Sequence, residues 1–275
     1  FGFQYIQVMT DAEVTEKNFT AIAVYSNMPQ TAKFECGHSG INQLFSNAVW
    51  SMKGNFLEIP TDCPTRERTG FTGDAQVFVN TGMYLMECYP VYRKFLNELR
   101  AVKRDGGCVS QTAPSGKGHL FDGTAGWSDA IDLIPWRMYL RYGNQDILKE
   151  NYEKIKEWLD FSLKRAKEDN PGRVRGKDDK YYSYLLDTGW HWGEWIEPDW
   201  NGFISGEDPG GAYLRDIHDH GAPEVCTAHL SYGCQIAAEV AQLLGRKEEA
   251  DYYCEMRRLT KLAYREACME NGRMK

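Results

Sequence analysis

Residues Asp62 to Asp74 read DCPTRERTGFTGD, and this stretch sets the expectation for the fold on either side of it. It holds three carboxylates, two arginines and one aromatic residue. Glycine and proline interrupt helices rather than extend them, so the stretch predicts a loop. Acids crowded on a loop between rigid helices are a common way of building an active site. On charge content alone, a solvated network of surface ion pairs explains the stretch equally well.

Apolar residues recur at intervals of three and four on both sides of this loop, which is the pattern of amphipathic helices. Pro90 suits a helix start and Gly245 a helix end, while Pro135 predicts either a kink or a late helix start. The expected helices cover about residues 41–52, 75–86, 90–102, 129–142, 146–167, 225–244 and 247–268. Paired helices joined alternately by short turns and long loops predict an α/α toroid or solenoid. The sequence has no repeat of fixed period, which disfavours an open solenoid.

Residues 1–35 have the composition of strands instead. FGFQYIQV and NFTAIAVYSN are rich in β-branched and aromatic residues, and a polar segment separates them. Two or three strands do not make a stable sheet by themselves. We therefore expect this segment to be the end of a β domain.

The composition excludes several classes of partner. A net charge of −7 argues against nucleic acid and against an anionic membrane surface. No apolar run approaches the length of a membrane span, so we expect a soluble protein of the cytoplasm or the periplasm. Most of the eight Trp and sixteen Tyr are explained by a large aromatic core, and Trp136 and Trp158 lie within helix patterns.

The eight cysteines form no CxxC pair and no Cys/His metal spacing. His218 and His220 are close together in sequence, but we assign that pair to a loop rather than to a metal site. The sequence therefore predicts no metal site and no cofactor. It also predicts free cysteines, several of them at buried helix positions, rather than a disulfide scaffold.

The loop carries the residue types that glycoside hydrolysis needs. One carboxyl group must protonate the leaving oxygen, and a second must attack the sugar or activate water. Glu67 as the proton donor requires a raised pKa, whereas Arg66 and Arg68 beside it favour the ionised form. The arginines must then point away or pair with Asp62 and Asp74. Carboxylates, arginines and aromatic residues of the kind that bind sugars also occur at 122–129 and 187–200.

The motif Asp62 to Asp74 resembles the DCPQRxERxGWxGD signature of bacterial α-L-rhamnosidases, glycoside hydrolase family 78. GNFLEIPT before it and AQVF after it continue the match. The similarity extends through AGWSDAIDLIPWRMYLRYGN (125–144), GEWIEP (193–198) and APEVCTAHLSYGCQIAAEVAQLLGRKEEADYY (222–253), and so covers nearly the whole chain.

The resemblance implies an (α/α)6 barrel that inverts anomeric configuration, with Glu67 as its general acid. It assigns residues 36–275 to the N-terminal part of this barrel and residues 1–35 to the last strands of a preceding β-sandwich domain. The substrate is then a rhamnose-containing glycoside or polysaccharide. The implied sugar-contacting residues are Asp62, Arg66, Phe71, Asp74, Trp127 and Trp195.

This chain departs from the family pattern at several positions. Phe71 replaces a stacking tryptophan, Glu194 stands where the family more often has aspartate, and the first motif is one residue shorter than its longer variant. The family's general base is a glutamate far downstream, at a position beyond Lys275. We therefore expect the chain to be an inactive fragment of a longer enzyme, with about half of the barrel.

Two other functions fit the same residues. One is a related (α/α)6 glycosidase with a different sugar specificity, which the substitution at Phe71 would favour. The other is a non-catalytic carbohydrate-binding protein of the same fold.

Overall fold

The computed structural model describes residues 2–115, 121–168, 181–193 and 222–274. These ranges are mostly helical, as the apolar periodicity predicts. Two short antiparallel hairpins accompany the helices, β1 (Phe56–Leu57) with β2 (Ile59–Pro60), and β3 (Met269–Glu270) with β4 (Arg273–Met274). The helices in the described ranges are α1 (Ser39–Asn55), α2 (Thr72–Leu85), α3 (Tyr89–Ala101), α4 (Ala130–Tyr142), α5 (Asp146–Arg165), α6 (Pro223–Leu243) and α7 (Lys247–Cys268).

Two tight turns arrange the later helices as hairpins. Gly143 ends α4 in the left-handed conformation, with φ at 72°, and its N–H donates to the carbonyl of Tyr139 at 2.8 Å. Gly245 ends α6 with φ at 74°, which confirms it as a helix stop. Both positions need glycine because a side chain is strained at such angles. α4 begins at Ala130 and continues through Pro135, so the alternative of a late start is wrong.

The helices share one large core. Tyr92, Tyr152 and Trp158 are among its largest fully buried side chains, and Trp136 is also buried, as its helix pattern predicts. The eight cysteines are all free, and four of them are buried. None of the helices in the described ranges is both long and apolar enough to cross a membrane.

The N-terminal segment, residues 2–35, follows the helical body as extended chain. Its backbone is held at Gly2, whose N–H donates to the carbonyl of Pro64, and at Ser26, whose N–H donates to that of Phe56. An isolated antiparallel β-bridge joins Gln30 of this segment to Met86. Extended chain becomes a strand only beside a partner that bonds along its length, and the described residues supply none here. Its membership of a β-sandwich domain stays a prediction.

Asp132 is a carboxylic acid in the middle of the core. It lies on α4 where Gly233 of α6 comes close, and a Cβ atom at Gly233 would lie 2.8 Å from its Oδ2 atom. Neither carboxyl oxygen has a hydrogen-bond partner among the described residues. Burial raises the pKa of Asp132 well above its usual range, and the negative charge of Asp129 raises it further. Burial therefore favours the protonated form of Asp132.

This burial predicts how stability depends on pH. The native state retains a proton that the unfolded chain releases, so Asp132 makes the free energy of unfolding fall as pH rises from near 4 towards the folded-state pKa. The limiting slope for one proton is about 1.4 kcal/mol per pH unit. Asp132→Asn should remove this contribution and stabilise the protein more at pH 8 than at pH 5, as measured by urea unfolding. The exposed Asp251 provides the control, since Asp251→Asn should leave the pH dependence unchanged.

Candidate active site

An open cleft of about 690 Å³ lies beside the 62–74 loop. One wall comes from the C-terminal end of α1 and from Asp62, and another from Asp74 and Gln76 on α2. Trp127 and His229 complete it from the turn before α4 and from α6. Of the residues that the sequence singles out, the cleft brings together Asp62, Asp74 and Trp127.

Asp62 closes the base of the loop. Its backbone N–H donates to the carbonyl of Thr69 at 3.1 Å, and its Oδ1 accepts from the backbone N–H of Thr69 at 3.0 Å. Arg68 turns the chain in the left-handed conformation, with φ at 57°, and its N–H donates to the carbonyl of Cys63. These bonds fold the predicted loop back on itself and carry Glu67 to the same end as Asp62.

Two glycines dock the loop against the turns around it. The carbonyl of Gly70 accepts from the N–H of Ala113, and a Cβ atom at Gly70 would collide with the Ala113 carbonyl oxygen. Gly73, in the first turn of α2, faces the indole of Trp127, where a Cβ atom would lie 2.7 Å from the ring. Both positions need glycine for close approach, since neither has a positive φ.

Asp62 is the carboxylate of the cleft that is held ionised. Burial raises its pKa, but hydrogen bonds from the Cys63 thiol and from the backbone N–H of Thr69 outweigh burial and hold the pKa below its usual range. The Cys63 Sγ donates to Oδ2 of Asp62 at 2.8 Å and accepts from the backbone N–H of Glu67 at 3.0 Å. Asp62 can therefore accept hydrogen bonds from the hydroxyl groups of a ligand.

Asp62, Cys63 and Glu67 each place one potential metal ligand within 4.8 Å of the others. Hydrogen bonds from the thiol to Asp62 and from the Glu67 backbone to the thiol account for this spacing. We assign no metal ion to the group.

Glu67, the predicted general acid, is not among the described residues that line the cleft, but it lies beside Asp62 and forms an ion pair. Its Oε1 accepts from Nη2 of Arg66 at 2.8 Å, with 41% of the Glu67 side chain and 80% of the Arg66 side chain exposed. Arg68 donates instead to the carbonyl of Thr65 at 3.3 Å. The condition that both arginines leave Glu67 is therefore not met in this arrangement.

Asp74 has the electrostatic character that a proton donor needs. The side chain reaches solvent, but partial burial in the cleft raises the pKa of the carboxyl, and the negative charges of Asp62 and Glu67 raise it further. Within one cleft, the pKa of Asp62 is therefore lowered and the pKa of Asp74 is raised.

Phe71, the predicted stacking residue, lies at the end of the loop. It precedes α2, its backbone pairs with that of Thr112, and it is not among the described residues that line the cleft. Its predicted sugar contact therefore has no support from this arrangement. Trp195 lies outside the described residues.

Trp127 leads into a group of aromatic side chains. The ring centroids of Trp127 and Trp192 lie 6.0 Å apart, and Trp192 makes edge contacts with Phe121 and Trp190. Gln76 fixes the turn before Trp127 by donating from its side chain to the carbonyl of Gly126. Trp127 is therefore backed by further aromatic side chains on this wall of the cleft, an arrangement that suits the stacking of a sugar ring.

Asp129 and His229 are in contact behind this wall, although no sequence pattern predicts their pairing. Nδ1 of His229 lies 3.2 Å from Oδ2 of Asp129. Burial lowers the pKa of His229, but the negative charge of Asp129 outweighs burial and raises it. Asp129 directly precedes α4 and His229 lies on α6, far away in sequence, so no local pattern indicates their contact.

The chain is similar to known proteins over most of its length. The sequence model of the bacterial alpha-L-rhamnosidase 6 hairpin glycosidase domain matches residues 29–274. An alpha-L-rhamnosidase of Formosa agariphila is 31% identical over 283 residues, an alignment that covers 100% of this chain and 27% of that protein. An alpha-L-rhamnosidase of Streptomyces avermitilis is 30% identical, covering 96% of this chain and 22% of that protein. This chain thus spans about a quarter of the length of these relatives.

Solved structures give the same result. The crystal structure of the Streptomyces avermitilis alpha-L-rhamnosidase complexed with L-rhamnose superimposes with a TM-score of 0.72 at 29% identity, over 91% of this chain and 21% of that one. The native rhamnosidase of Aspergillus terreus superimposes with a TM-score of 0.73 at 29% identity, over 96% of this chain and 28% of that one.

The contact of Gly73 with Trp127 can be tested by adding one methyl group. Gly73→Ala should displace the indole and destabilise the protein by about 1–3 kcal/mol, because the added Cβ has no room. Urea unfolding measures the loss, and tryptophan fluorescence reports the displacement. Gly54, on α1, has no atom within 4 Å of an added Cβ. Gly54→Ala should instead stabilise by about 0.5–1 kcal/mol through helix propensity. Equal effects of the two substitutions would contradict the close contact.

Proposed function

Since the chain belongs to the bacterial α-L-rhamnosidase six-hairpin glycosidase family, we propose that it forms part of the catalytic domain of an inverting α-L-rhamnosidase. The substrate is a glycoside or polysaccharide with a terminal α-L-rhamnose. One observation carries the proposal. Asp62, Asp74 and Trp127 line one cleft, and Glu67 lies beside Asp62.

Glu67 is proposed to protonate the glycosidic oxygen. In the free cleft its carboxylate is paired with Arg66, and this pair must open when the substrate binds. Solvent screens an ion pair as exposed as this one, so opening it costs little. A sugar hydroxyl can then accept the hydrogen bond from Arg66, which agrees with the predicted sugar contact of that residue.

The two aspartates have complementary parts in this proposal. Asp62, held ionised by the Cys63 thiol and the backbone of Thr69, accepts hydrogen bonds from sugar hydroxyls. Burial and the negative charges of Asp62 and Glu67 raise the pKa of Asp74, which favours a protonated carboxyl at that position. Trp127 supplies an apolar face on which a sugar ring can stack.

Inversion requires a second carboxylate on the opposite side of the sugar, about 6.5–9.5 Å from the acid. We assign this base to none of the described residues. Glu239, for example, lies on α6 and accepts from the Gln235 side chain. We expect a glutamate from a part of the barrel downstream of Lys275, and on this proposal the 275 residues alone have no turnover.

The stereochemical part of the proposal has its own test. In the protein that carries this chain, hydrolysis should first release the β-anomer of L-rhamnose, because water attacks the face opposite the leaving group. Proton NMR during the first minutes distinguishes the two anomers before mutarotation. Initial release of the α-anomer would rule out inversion and leave the sugar specificity intact.

The role of Glu67 is tested by the leaving group. Glu67→Gln should lower kcat about 10²–10⁴-fold on an alkyl rhamnoside, whose oxygen must be protonated to depart. It should lower kcat less than about tenfold on a dinitrophenyl rhamnoside, whose oxygen departs without a proton. Activity is measured with both substrates.

Two controls separate this effect from others. Glu255 also forms an exposed ion pair with an arginine, at 2.7 Å from Arg258, and Glu255→Gln should leave both activities unchanged. Asp74→Asn should affect both substrates alike if Asp74 binds the sugar without donating the proton. A Glu67→Gln variant with full activity on the alkyl rhamnoside would refute the assignment of Glu67.

A further inference from the structure

His229 presents a nitrogen to the cleft that no described residue uses. Its Nδ1 faces Asp129 at 3.2 Å, and its Nε2 has no hydrogen-bond partner in the described ranges. The residue lines the cleft with 29% of its side chain exposed. A Cβ atom placed on Gly126, next to Trp127, would lie 3.8 Å from this Nε2. The free nitrogen is therefore on the Trp127 side of the cleft.

Asp129 holds this imidazole in one orientation. Its side chain is only 2% exposed, and its Oδ1 accepts from Nε1 of Trp158 at 2.9 Å. Its Oδ2 accepts from the backbone N–H of Gly126 at 2.6 Å. Two donors besides His229 thus fix both carboxylate oxygens, and a fixed carboxylate selects the tautomer with the proton on Nδ1. Nε2 is left facing the cleft as an acceptor, or as a donor when the ring is charged.

Nearby His191 shows by contrast how a purely structural histidine is bonded. Its Nδ1 accepts from the backbone N–H of Ala125 at 2.9 Å, and its Nε2 donates to the carbonyl of Thr188 at 2.9 Å. Burial lowers its pKa to about 3, so it stays neutral. Both ring nitrogens of His191 are used inside the protein, whereas His229 uses one and turns the other to the cleft.

We propose that Nε2 of His229 hydrogen-bonds a hydroxyl group of the sugar bound against Trp127, with Asp129 as its positioning residue. This inference rests on the proposed function and adds a specificity-determining contact from α6. A sugar hydroxyl suits this nitrogen because it can donate to a neutral imidazole and accept from a charged one. The contact also makes α6 part of the wall of the sugar site.

Two substitutions at this position separate sugar binding from a structural role. In His229→Asn the side-chain amide can take the place of Nδ1 and satisfy Asp129, but nothing reaches the cleft. In His229→Gln the longer side chain can place a polar atom where Nε2 was and weakens the contact with Asp129. If the proposal is right, KM for an aryl rhamnoside rises about three- to tenfold in His229→Asn and less in His229→Gln, with little change in kcat.

A histidine that only satisfies Asp129 would give the reverse order, because His229→Asn keeps that bond. The proposal is overturned if His229→Asn leaves KM unchanged, or if KM rises at least as much in His229→Gln. Melting temperatures of both variants show how far folding is affected. Failure of the proposed function is separate, since the unmodified protein would then not hydrolyse rhamnosides at all.

A measurement on the unmodified protein needs a variant only to assign one resonance. Nitrogen-15 NMR resolves Nε2 of His229, which is assigned by its loss in His229→Gln. Addition of L-rhamnose should shift this resonance and leave those of His191 in place. A His229 resonance that is unchanged at saturating L-rhamnose would overturn the proposal.

Discussion

The carboxylate of Asp129 is the interaction on which the cleft depends. It joins the start of α4 to Trp158 in the core through one oxygen, and through the other to the turn that carries Trp127 and to His229 on α6. A buried carboxylate is stable only when such donors satisfy it. The same bonds that make the charge tolerable therefore fix the relative positions of the aromatic wall and of α6.

The 62–74 loop holds several acids close together. Three carboxylates of like charge repel one another, and the loop separates them by environment. The Cys63 thiol and the Thr69 backbone stabilise the negative charge of Asp62, Arg66 neutralises Glu67, and Asp74 is left with a raised pKa. Acids whose pKa values are pushed apart in this way can take separate parts in proton transfer.

The sequence predicted the helices well because apolar periodicity is a local property, and α1 to α7 all lie within a few residues of the expected bounds. The loop was predictable as far as Phe71, but α2 begins at Thr72, so Gly73 and Asp74 lie in its first turn and not in the loop. The pairing of Glu67 with Arg66 was not predictable, because it depends on side-chain conformation. The contact of Asp129 with His229 was also missed, because only the packing of α4 against α6 brings them together. Residues 2–35 have a high β propensity, but such a segment forms a strand only beside a partner strand.

The backbone bonds of the N-terminal segment have a consequence for protein engineering. Gly2 is bonded to Pro64 inside the loop, Ser26 to Phe56 on the strand that leads into it, and Thr31 to Leu85 at the end of α2. In a chimaera whose helical domain is exchanged at a junction near residue 36, the two partners of each of these hydrogen bonds would come from different parent proteins. The exchanged domain would keep its acids but lose its native contacts with residues 2–35, which help to position the loop. A graft that carries residues 2–35 along with the helices keeps the loop and its tethers as one unit.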